Sequence, residues 1–185
     1  MKYIIPLIII FCASSYSQTN YYTGFGLGYH RVSKPNNAIN ANFPSLNLHI
    51  DNRTKCKLWY GLGINMAEIA HQNEAPLNSK FFNYYFMLEP NIRYNFISNN
   101  TSTYNFVPYI KASLLLGYID ADDTFSDRSL GGSFGLGIAK GFNAFGECFM
   151  VDLNAAYSGF NTIYRADGRQ FFETFNFNLY LSMKL

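Results

Sequence analysis

The chain has 185 residues, room for one domain, of which 49% are hydrophobic and only 14% charged. That excludes a disordered chain and leaves few charges to solvate an ordinary globular surface. A formal net charge of +2 is too small for a nucleic-acid partner, which calls for Lys and Arg clustered on one face.

Met1-Lys2-Tyr3 leads into an apolar run from Ile4 to Ala13 and then Ser14-Ser15-Tyr16-Ser17. This is the order of a secretory signal, with charged, apolar and small-residue regions, so residues 1–17 are expected to be cleaved as a signal peptide and 18–185 to form the mature domain. The run is shorter than the ~20 residues a membrane helix needs, and no later stretch comes closer. Cys12 follows Phe11, where lipoprotein processing prefers a small residue, so no lipid anchor is expected there.

Beyond residue 18 the pattern has period two, broken by stretches rich in Asn, Ser, Asp, Gly and Pro, which reads as strands joined by loops. Strands are expected over 21–30, 45–51, 56–67, 81–96, 106–119, 130–142, 148–158 and 172–185. The connections 31–44, 68–80, 120–129 and 159–171 are long, while 52–55, 97–105 and 143–147 are shorter. Outer-membrane barrels alternate in this way, with short periplasmic turns and longer outer loops. The fold class is therefore all-β: an eight-stranded antiparallel up-and-down transmembrane β-barrel, with both chain ends in the periplasm.

Along each strand one face is apolar, as in Phe25, Leu27 and Tyr29, or Phe175, Phe177, Leu179, Leu181 and Met183, and Lys140 alone puts a charge there. The opposite face carries Gly, Asn and Ser with a few charges. A soluble barrel would line its outside with Lys and Glu, so the small, amide-rich face reads as the interior. A Lys or Arg in the middle of a lipid-facing surface costs roughly 2–4 kcal/mol, which makes the partition of charges meaningful. Aromatic residues, 18% of the chain, gather near strand ends, as interfacial girdles do.

Glycine alternates with large apolar residues in Gly24-Phe25-Gly26-Leu27-Gly28 and twice more. A dinucleotide fingerprint fails here because Tyr29 stands at its third glycine position and a polar loop follows instead of a helix; a narrow lumen that needs small inward residues explains the pattern. Pro90 falls inside the fourth strand, where the missing N–H predicts a bulge or local widening beside Glu89.

The pattern resembles the small eight-stranded outer-membrane barrels of the OmpA-barrel, OmpX and OmpW kind over essentially the whole mature chain. That resemblance implies residence in the bacterial outer membrane, contact with its lipids and engagement by the barrel-assembly machinery during biogenesis. Such families commonly end on an outward aromatic residue, whereas this chain ends on Leu185. No peptidoglycan-binding domain is expected after the barrel.

The inward charges Glu89, Arg93, Lys111 and Asp152, with His49 and Asp51, are the candidate site. Buried charges must be paired, so a lumen network that is structural or gates a pathway is expected, and an eight-stranded barrel has little room for a wide pore. Catalysis is not expected. His30 sits near Ser33 at a strand end, His71 lies in a loop without a nearby serine, and the His-x-Ser-Asn pattern of lipid A deacylases is absent. The acidic segment Asp120-Ala121-Asp122-Asp123 lacks the glycine and glutamate positions of an EF-hand loop. Cys56 and Cys148 are expected on opposite sides of the periplasmic rim, unpaired. No cofactor is expected. The expected role is structural, or an interaction of the outer loops with an unidentified protein or ligand; a lipid-modifying enzyme and a narrow solute channel are the alternatives.

Overall fold

The computed structural model describes residues 20–32, 42–53, 57–69, 83–97, 106–122, 125–162 and 171–185. The expected leader, Cys12, Ser33, Cys56 and His71 lie outside them. Eight strands follow in chain order: β1 (Asn20–Val32), β2 (Phe43–Arg53), β3 (Leu58–Ile69), β4 (Asn83–Asn95), β5 (Phe106–Asp122), β6 (Phe125–Ala144), β7 (Glu147–Thr162) and β8 (Phe171–Lys184). Each pairs antiparallel with its sequence neighbour, and β1 closes on β8 with Leu27 opposite Leu179. Closure leaves no free edge for another chain to extend.

The period-two alternation sets the two surfaces. Phe25, Leu27, Phe134, Leu136, Leu153 and Phe177 are more than half exposed on the outside, while Asn47, Asn65, Asn154, Asn176 and Asn178 are buried in the lumen. Inward glycines are spaced to admit large lumen side chains. A Cβ at Gly26 would overlap the Tyr180 ring, and one at Gly137 would overlap the Tyr109 ring.

Three expectations are corrected. The segment 120–129 is not a long loop: β5 runs to Asp122 and β6 starts at Phe125, with a register shift between Asp120 and Asp122. Polar side chains end the apolar pattern there but not the backbone ladder, which needs only N–H and C=O groups. Of the two alternatives expected at Pro90, a bulge or a local widening, the bulge does not form. Pairing of β4 with β5 keeps one register from Leu88–Leu116 to Asn91–Ser113, and only the ladder positions of Glu89 and Pro90 drop out. The side facing β3 stays paired, with Leu62 opposite Pro90, so the missing donor is absorbed without an inserted residue. Lys140 is not the single outward charge, because the longer strands also carry Arg31 and Arg128 outward and exposed.

The β6–β7 connection tightens to Phe145 and Gly146, both at positive φ (54° and 83°), the requirement of a two-residue type I′ hairpin. Nearby, the free Cys148 donates from Sγ to Asn143 Oδ1 at 3.1 Å.

Candidate functional site

The end of the lumen at which both chain termini lie is filled by alternating rings and guanidinium groups. Arg53, Trp59 and Arg93 are direct register partners across β2, β3 and β4, so their inward side chains stack. Arg53 lies 3.1 Å from the Tyr22 ring centroid and 4.4 Å from that of Trp59. On the other side of Trp59, Arg93 lies 4.4 Å away and is 3.5 Å from the Tyr109 ring. The order is Tyr22, Arg53, Trp59, Arg93, Tyr109. Desolvated guanidinium groups over aromatic faces gain about 2 kcal/mol or more per contact, and the planar stack leaves little space for water.

One carboxylate anchors the stack from the far wall. Arg93 Nη1 donates to Asp152 Oδ2 and the Tyr109 hydroxyl donates to Oδ1, while Arg93 Nε donates to Asn95 Oδ1 at 2.8 Å. Arg53 ends differently, with Nη2 against Met150 Sδ at 2.7 Å.

Above the stack, Lys111 Nζ lies 3.6 Å from Glu89 Oε1. His49 Nε2 is 2.9 Å from Ser182 Oγ and 3.7 Å from Asp51 Oδ2. The six inward residues singled out in the sequence, His49, Asp51, Glu89, Arg93, Lys111 and Asp152, all border one cavity of about 30 Å³. They form three pairs around it and not one chain. Arg93 and Lys111 face each other in register, so like charges are directly opposed and each turns to a different acid. A neighbouring cavity holds about 10 Å³. As a water needs roughly 10–15 Å³ by this measure, the two have room for a few waters at most, and among the described residues they form no wide passage.

The outer half of the lumen is uncharged chemistry. His30 is fully buried, stacked on Phe43 at 4.8 Å, with Nε2 3.0 Å from Ser45 Oγ. Asn47 donates to Asn178 at 3.1 Å, Asn176 donates to Ser158 at 2.6 Å, and Thr174 donates to Asn176 at 2.8 Å.

Neisserial surface protein A superposes with a TM-score of 0.55 at 15% identity, covering 91% of this chain and 98% of that one. Ail, the attachment invasion locus protein of Yersinia pestis, superposes with a TM-score of 0.50 at 11% identity, over 90% of this chain and 97% of that one. The chain has the small outer-membrane barrel fold. No protein-family model matches it, and no curated protein does.

Several lumen residues escaped the sequence reading. Arg53 lies past the expected end of the second strand. Trp59, Tyr109 and Tyr180 were assigned to neither face; their parity against the outward Leu58, Ile110 and Leu179 was the available signal. Of the two Ser–His contacts, His30 with Ser45 joins the neighbouring strands β1 and β2, while His49 with Ser182 reaches from β2 across β1 at Gly24 to β8, and neither could be found as a local motif. His30 stands beside Ser45, and Ser33 lies outside the described residues.

Proposed function

We propose that the protein is an exported, integral outer-membrane barrel whose lumen is closed, and that it acts by its place in the membrane and by the outer loops it presents to a partner. The observation that carries the reading is the Tyr22–Arg53–Trp59–Arg93–Tyr109 stack, tied to Asp152 across the barrel. A conducting lumen would require these groups to part, leaving two guanidinium groups without their contacts. Membrane residence is supported by the outward apolar band and by the cations at its margins: Arg31 and Arg128 toward the outer rim, and Lys140 toward the periplasm, where its Nζ lies 4.7 Å from the Phe106 ring.

Refolded protein in planar bilayers is expected to show no conductance steps; regular steps from the unaltered chain would replace this reading with the narrow channel. Heat-modifiable migration of the membrane fraction is expected for a folded barrel, and recovery of the chain as a soluble periplasmic protein would overturn the placement.

Two buried Ser–His contacts are what an enzymatic reading would build on. Both pairs are enclosed in the lumen, and Asp51 approaches His49 through Nε2, the nitrogen that already faces Ser182. An orienting acid belongs on the other nitrogen. The pairs are therefore read as lumen packing, and lipid A is expected to have the same mass spectrum with and without the protein. Ail is described in complex with the heparin analogue sucrose octasulfate; a comparable recognition role here would fall to the outer loops.

A further inference from the structure

The lumen mouth at the end of the chain termini carries positive charge with no acid set against it. Arg53 closes β2, Lys57 stands two residues ahead of Trp59, and Lys184 ends β8 opposite Tyr22. Asn95 N donates to Lys57 O at 2.8 Å, so the ladder with β4 reaches Lys57. All three cations share the inward parity of Asp51, Trp59 and Ser182. They sit on β2, on the approach to β3 and on β8, with Tyr22 of β1 between, so three strand spacings, roughly 14 Å, hold the whole set.

No carboxylate among the described residues lies within ion-pair distance of any of them. Asp51, the acid of β2, turns to His49, and Glu147 follows the outward parity of Phe149. Residues 52–67 and 90–119 hold no Asp or Glu at all. Arg53 is the fixed member of the set. It is nine-tenths buried, held against the Tyr22 and Trp59 rings, and its Nε has no hydrogen-bond partner among the described residues. Its Nη2 meets only the Met150 thioether, a weak acceptor. A buried guanidinium gains most from charged oxygens, and the fold supplies it with none. Lys57 is exposed and Lys184 half-buried, each on a flexible four-carbon stem that lets its ammonium group close over a ligand.

We propose that this mouth is an anion site for a phosphate group, held by Arg53 from within and by Lys57 and Lys184 from the sides. The inference rests on the closed lumen proposed above, because the stack of rings and guanidinium groups makes the mouth a blind pocket, and it goes beyond that reading in naming a ligand. One guanidinium is enough for a single carboxylate. Three cations without an acid fit a group with about two negative charges and oxygens on several sides, as in a phosphate monoester. A soluble phosphomonoester and the headgroup of an anionic phospholipid offer this same chemistry.

Trp59 is the one tryptophan of the chain and lies over Arg53, so its fluorescence reads the site. The full mature chain, refolded in detergent, is titrated with glycerol phosphate, short-chain phosphatidylglycerol, and sodium chloride or acetate at matched ionic strength. Phosphorus NMR line broadening gives a second reading that does not depend on the tryptophan. Glycerol phosphate is expected to give a saturable emission change and a broadened line, with no saturable change from chloride or acetate. Lys57→Gln and Lys184→Gln lie outside the stack; each is expected to weaken binding several-fold, and the two together to abolish saturation, with heat-modifiable migration unchanged. Tighter binding of phosphatidylglycerol than of glycerol phosphate would assign the phosphate to a lipid headgroup, and the reverse to a soluble ester. No saturable response in either measurement, an equal response to acetate, or unaltered affinity in the double variant would overturn the site. Failure of the underlying reading would show separately, as conductance steps in planar bilayers or as a chain that fractionates as soluble.

Discussion

The two halves of the lumen are filled by different chemistry. Toward the chain termini, Arg53 and Arg93 are held between rings, and Arg93 has its carboxylate partner in Asp152. Toward the outside, amides and hydroxyls of Asn47, Ser158, Asn176 and Asn178 bond one another without a net charge. An amide both donates and accepts, so it finds a partner in several orientations. A guanidinium only donates, and its charge makes an unpaired state costly. The half nearest the termini should therefore tolerate change poorly, and the opposite half should yield by small steps.

The sharpest way to break this contrast is Asp152→Ala. It leaves the Arg93 guanidinium and the Tyr109 hydroxyl buried without their acceptor, and is expected to cost about 3–5 kcal/mol in urea unfolding of the refolded protein. Adding Arg93→Met should recover most of that loss, because no buried charge is then stranded. A single variant no weaker than an amide truncation would remove the distinction between the halves.

Gly137→Val probes the packing of the half nearest the termini without touching a charge. The new side chain meets the Tyr109 ring, and a loss of about 1–3 kcal/mol is expected from overpacking. Combining it with Tyr109→Ala should make the two losses less than additive in the same unfolding assay. The smallest effect is expected in the outer half. Asn178→Ala removes the acceptor for Asn47 and should cost about 1 kcal/mol, seen as a modest shift in the midpoint of heat-modifiable migration. A collapse of folding there would show that the amide network is as exacting as the ion pair.

The fold was legible because strand periodicity is local. Residues at i, i+2 and i+4 share a face, so stretches such as Phe175, Phe177 and Leu179 against Asn176 and Asn178 revealed both surfaces before any pairing was known. Strand ends were less legible: the acidic turn after Ile119 looked like a loop, yet the ladder continues to Asp122. Pro90 was a sound signal of a lost ladder contact but not of a bulge, since nothing local states whether register is kept.

For the candidate site, alternation determined that Glu89, Arg93, Lys111, Asp152, His49 and Asp51 point inward, and they share one cavity. Their partners were a matter for the closed barrel. Arg93 meets Asp152 across 59 residues of chain, and Asn47 meets Asn178 across 131. Such contacts depend on register and on which walls face each other after closure, neither of which is written in a period of two. The sequence by itself settled which side of each strand meets the bilayer and which meets the lumen, because that follows from local alternation. Only the tertiary structure decided that the charges separate into three pairs and that rings and guanidinium groups stack at one end.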